Sequence, residues 1–91
     1  MPTVHLLIKG KVQGVFYRVT AKQTADALRI TGWIKNSNDQ HVEAMVTGSD
    51  EQLQEFIAWC WKGPEKAVVE DVIVSPRPET PYLAFEIIRR R

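Results

Sequence analysis

"GWIKNSNDQHVEAMVTGSDEQ", residues 32–52, holds the punctuation that decides the fold. Its two runs GWIKNS and HVEAMVTG are joined by the polar pair Asn38-Asp39, and turn residues between two β-prone runs predict a β-hairpin. Ser49 with Gln52 three residues on has the spacing of a capping box, in which a hydroxyl and an amide satisfy two N–H groups that a helix start leaves unpaired. The hairpin therefore runs straight into a helix. Leu53, Phe56, Ile57, Cys60 and Trp61 then recur with helical period as far as Gly63-Pro64, which predicts the buried face of that helix and its end. Trp59 falls off this face and is expected to be partly exposed.

On the N-terminal side, Ala21, Thr24, Ala25 and Leu28 fall at i, i+3, i+4 and i+7, a helix with a small-residue face that can lie close against a sheet. Gly32 interrupts it. Residues Thr3–Lys9 read as a strand with Val4, Leu6 and Ile8 as the better core face and His5, Leu7 and Lys9 on the other. On the C-terminal side, AVVEDVIV (67–74) reads as a strand. SPRPETP (75–81) reads as a turn-rich connection because prolines cannot donate to a ladder, and LAFEII (83–88) as a short last strand. The order strand, helix, strand, strand, helix, strand, with a fifth strand appended, predicts an α+β, ferredoxin-like (split βαβ) sandwich: βαββαβ, both helices on one face of an antiparallel sheet.

The 91 residues make one domain, 1–91, and at 44% hydrophobic and 25% charged they can bury one modest core. Twelve basic residues against 11 acidic, a formal net charge of +1, leave no electrostatic footprint for nucleic acid over the chain as a whole. Any anion site must be local. One cysteine excludes an internal disulfide framework, and with only two histidines no Cys/His metal cluster is available. The N-terminus lacks the pattern of a secretory signal and no apolar segment approaches membrane-spanning length, so the expected location is cytoplasmic.

"GKVQGVFYR", residues 10–18, is the stretch that carries chemistry. A strand feeding a helix through a glycine-bearing loop aims successive N–H groups at one spot, where the helix dipole adds positive potential. Arg18 adds a permanent charge whose planar fork suits two phosphate oxygens. The bland alternative is two turning glycines and a solvated arginine. The loop is not a Walker A motif, since His5 stands where its first glycine would be and Val12 where Ser or Thr must ligate magnesium. Nor does it have the three glycines of a dinucleotide fingerprint.

With these residues in view, the chain resembles the acylphosphatase family. Gly10, Val12, Gln13, Gly14, Val15, Tyr17 and Arg18 meet that family's first signature, and Gly32, Trp33, Ile34, Lys35, Asn36, Val42 and Gly48 meet its second. The resemblance implies a hydrolase that splits the carboxyl–phosphate bond of acyl phosphates without metal or other cofactor. It implies catalytic roles for Arg18 and Asn36, with substrate phosphate held by the backbone amides of Gln13, Gly14, Val15, Phe16 and Tyr17. The expected partner is a small-molecule acyl phosphate, with no nucleic acid and no membrane, acting on a monomer. One departure is Gln40, which stands in the hairpin where the family usually has a glycine; a turn needing positive φ there would strain it.

Other residues read as structure. His5 and His41 have no paired nucleophile and are expected to be ordinary strand residues. Cys60 is expected to be inert packing, Ser49 a cap, Trp33 and Tyr17 packing groups flanking the site, and the terminal Arg89–Arg91 run a solvated chain end. The rival from another class is an anion-binding module without turnover; an RNA-binding sheet is disfavoured because no RNP pattern of aromatics is present.

Overall fold

The computed structural model describes residues 1–89. The elements are β1 (Thr3–Lys11), α1 (Tyr17–Leu28), β2 (Thr31–Asn36), β3 (Val42–Thr47), α2 (Asp50–Lys62), β4 (Val68–Arg77) and β5 (Phe85–Ile87). They form one five-stranded sheet in the order β4-β1-β3-β2-β5. The first four strands pair antiparallel, as expected for the ferredoxin-like arrangement, and β5 joins the edge parallel to β2.

The alternation in β1 works as read: Leu6 and Ile8 are fully buried and Val4 packs against the core, while His5, Leu7 and Lys9 face the other way. On that open face His5 Nε2 meets Glu43 Oε2 at 2.7 Å, with Lys35 Nζ at 4.0 Å from the same carboxylate, an ordinary cross-strand cluster. Helix α1 buries Tyr17, Ala21 and Ala25, and the two alanines bring its backbone close to the strands below. It stops at Arg29, a non-glycine residue in the left-handed region (φ 62), so no glycine marks its end in the sequence. Gly32 instead lies within β2 at φ 140, where any Cβ would run into the Met45 carbonyl of β3. Helix α2 starts on the predicted capping box: the Gln52 amide N–H donates to Ser49 Oγ at 3.1 Å, and the Ser49 N–H donates to Gln52 Oε1 at 2.7 Å.

Three expectations need correction. SPRPETP is not all connection, because β4 continues through Ser75, Pro76 and Arg77, with Pro76 opposite Val4. As an edge strand β4 has one unpartnered side, so a residue lacking N–H is tolerated there. The two tryptophans of α2 exchange roles: Trp61 is 47% exposed, whereas Trp59 packs on the core with its ring 5.1 Å from that of Tyr17. The buried stripe is Leu53, Phe56 and Cys60, and α1 lies on its Trp59 side. Finally, the last strand is shorter than LAFEII, and Leu83 is fully exposed.

Candidate active site

Between the end of β1 and the start of α1 the chain makes a tight loop with Gly14 at φ 74 and Phe16 at φ 63. A Cβ at Gly14 would meet nothing within 4 Å, so it is the backbone angle that calls for glycine there. Phe16 adopts the left-handed conformation without that freedom, which costs of order 1 kcal/mol, and its ring is 79% exposed. Backbone turns of this kind can aim successive amides at one point, the arrangement called a nest.

Among the described residues, none of the amides of Gln13, Gly14, Val15, Phe16 and Tyr17 donates to a backbone carbonyl or to a side chain. Helix α1 also has no side-chain cap and no acidic residue in its first turn. The positive end of its dipole is therefore left for something else. Side chains around the nest are otherwise employed. Val15 packs on the core, and Tyr17 is 1% exposed with its hydroxyl donating to the Cys60 carbonyl at 2.6 Å, so only its amide is available to a ligand. The Gln13 amide nitrogen donates to the carbonyls of His41 at 2.8 Å and Ser37 at 3.2 Å. That bond pair ties the loop to the β2–β3 turn.

Asn36 is the last residue of β2, immediately before the turn. Arg18 and Asn36, distant in sequence, line one cavity of about 310 Å³ together with Ile88 and Arg89. The Asn36 Oδ1 is buried and, among the described residues, has no hydrogen-bond partner. A desolvated amide oxygen with nothing to accept from is a costly arrangement unless a donor arrives with the ligand. Arg18 also lines an adjoining cavity with Val12, Gly14, Phe16, Tyr17, Val19 and Arg89. Burial, and secondarily the neighbouring Arg89 guanidinium, lower the pKa of Arg18 from its ordinary value.

The structure thus places Arg18 and Asn36 on one cavity and Gly14, Phe16, Tyr17 and Arg18 on the adjoining one, while Gln13 and Val15 line neither. It separates others. Trp33 does not flank the nest but lines a different cavity with Tyr82 and Leu83, with Lys35 Nζ 5.2 Å from its ring centroid. His41 Nδ1 is buried without a partner among the described residues, and its backbone closes the turn, its N–H on Ser37 Oγ and its carbonyl accepting from the Ser37 N–H at 2.8 Å. Arg89 is the residue that sequence reasoning missed. Read as a solvated chain end, it faces both cavities of the site; Arg90 and Arg91 lie outside the described residues. No local signal marks Arg89, because its place follows from the parallel docking of β5 on β2.

The sheet order and the two helices define a ferredoxin-like domain, with a glycine-bearing loop and uncapped helix start where β1 meets α1. The acylphosphatase family model matches residues 4–87. Among its relatives, an acylphosphatase of Marinobacter nauticus is 46% identical over 84% of this chain and 83% of its own length. One of Thiobacillus denitrificans is 43% identical over 94% of this chain and 96% of its own. The crystal structure of acylphosphatase from Bacillus subtilis superposes with a TM-score of 0.94 at 30% identity, covering 98% of this chain and all of that one. The chain belongs to the acylphosphatase family.

Proposed function

We propose that the nest amides of residues 13–17, Arg18 and Asn36 are the machinery with which this chain hydrolyses acyl phosphates to a carboxylate and inorganic phosphate. The supporting observation is the shared cavity: Arg18 and the buried Asn36 Oδ1, which has no partner among the described residues, line it together, and Arg18 also lines the adjoining cavity with Gly14, Phe16 and Tyr17 of the nest. An acyl phosphate leaves as a carboxylate, whose conjugate acid has a pKa of about 4, so no general acid is required. A loose phosphoryl-transfer transition state asks for alignment and for stabilisation of charge on the equatorial oxygens. The nest and Arg18 supply the second.

Asn36 supplies the first. Its Oδ1 accepts a hydrogen bond from the attacking water and holds the oxygen in line with the departing carboxylate. Water oxygen bonds to phosphorus, the phosphorus–acyl oxygen bond breaks with its electron pair leaving on the carboxylate, and the water proton passes to a phosphate oxygen of the substrate. No enzyme base enters, and neither does a metal or other cofactor. Gln13, by tying the nest to the turn after Asn36, holds the phosphate site and the water site in register. The chain acts as a monomer on a small molecule, without nucleic-acid or membrane partners. Among the described residues no helix is long and apolar enough to cross a membrane. Its lone, buried Cys60 suits the reducing cytoplasm.

Hydrolysis of benzoyl phosphate in the presence of a chelator tests the assignment. Asn36→Ala is expected to lose roughly 10²-fold in kcat, the scale seen when one positioning hydrogen-bond group is deleted, while competitive inhibition by inorganic phosphate changes little. Arg18→Ala is expected to lose both affinity and rate. Phosphate binding by the wild type without turnover above the blank would leave an anion-binding module as the better account.

A further inference from the structure

The site holds two permanent cations, and the signature residues include only one of them. Strand β5 runs parallel to β2 with Gly32 opposite Phe85, Trp33 opposite Glu86 and Ile34 opposite Ile87, and the Ile88 N–H donates to the Ile34 carbonyl at 2.8 Å. The same offset carried two residues further sets Arg89 alongside Asn36. From the other side, Lys22 lies one helical turn along α1 from Arg18 and donates to the Phe85 carbonyl at 2.8 Å. Helix α1 is thereby pinned over β5, with Arg18 directed at the strand's far end. Arg89 accordingly lines both cavities that Arg18 lines.

Among the described residues neither guanidinium takes part in an ion pair. Like charges held side by side repel unless an anion lies between them. Gly14, Phe16 and Tyr17 of the nest line one of these cavities with both arginines, and among the described residues no acidic side chain lines either. A dianionic phosphoryl group satisfies both guanidiniums and the nest at once, and a guanidinium can give it two parallel hydrogen bonds.

We infer that Arg89 is a second anion-binding residue of this site, gripping the phosphoryl group together with Arg18. The inference rests on reading the site as a phosphate cradle, and its test does not need turnover. The probe is inorganic phosphate, which has no acyl group, with binding followed by calorimetry or by phosphorus NMR at low ionic strength. Arg89→Ala is expected to weaken phosphate by about 10-fold or more, the size of a lost charge-assisted bond, and to make the remaining affinity less sensitive to salt. Arg89→Lys keeps the charge without the fork and should fall between the two. Arg77→Ala, an exposed cation on β4, should match the wild type within about twofold. Unchanged phosphate affinity in Arg89→Ala would overturn the inference. So would an equal loss in Arg77→Ala, which would mean a diffuse field. Benzoyl phosphate turnover run alongside separates the two claims: Arg89-dependent phosphate binding without hydrolysis sinks the hydrolase reading alone, and hydrolysis with Arg89-independent binding sinks this inference alone.

Discussion

Gln40 holds φ at 71° in the β2–β3 turn, the conformation a glycine would take without strain. The turn does require positive φ at this place, and a residue carrying a Cβ takes it under strain. Its neighbours tighten the loop, since the Ser37 hydroxyl bonds the Asp39 carboxylate and holds that group below its usual pKa. Gln40→Gly is expected to stabilise the protein by about 0.5–1 kcal/mol, the left-handed penalty less the extra chain entropy of glycine, read from urea unfolding. Turnover should hardly change, because Asn36 is held by β2 and by the Gln13 brace. A destabilised Gln40→Gly would show that the side chain matters more than the angle. Arg18, Asn36 and Gln40 were all legible as residues, since each stands at a fixed place in a recognisable pattern. Arg89 was not, because the role inferred for it depends on a neighbour 53 positions earlier in the chain.

At the scale of elements, α2 shows how far periodicity reaches. Counting about 100° per residue, Trp59 and Trp61 both border the stripe centred on Phe56 and Cys60. Trp61 is the farther out, but hydrophobicity alone ranks them equally. The difference is set by α1, whose Tyr17 ring waits on the Trp59 side. Trp59→Ala is expected to cost about 2 kcal/mol or more and Trp61→Ala less than about 1, both by chemical denaturation. Equal costs would mean that the two helices do not pack as described. The end of β4 makes the same point, since prolines in a sequence argue against a strand unless it lies at an edge, and only the assembled sheet says which strand that is.

Over the whole molecule, the α1–α2 contact is locked by Tyr17, whose hydroxyl donates to the Cys60 carbonyl, with the Cys60 thiol buried beside it. Burial pushes the thiol up to about 12 from 9.0, and the Tyr17 phenol well above its ordinary 10.0. Both groups are neutral when protonated, so the folded state keeps its protons at alkaline pH while the unfolded chain releases them. Stability is then fully present below pH 9 and falls as pH rises above it, first through Cys60 and above pH 10 also through Tyr17, at up to about 1.4 kcal/mol per pH unit per group. Thermal melts from pH 7 to 11 should show this loss, and Cys60→Val should delay its onset toward pH 10. An identical pH profile in the variant would contradict the assignment.

Element order, the capping box, the core face of β1 and the glycine-bearing turn from β1 into α1 were determined by the sequence alone, because each rests on interactions between residues a few positions apart. The edge position of β4, the choice between Trp59 and Trp61, the strain at Gln40 and the arrival of Arg89 beside Asn36 were decided only by tertiary structure. Each of these depends on which distant segment comes to lie alongside, and that is a property of packing and strand register that no local pattern encodes.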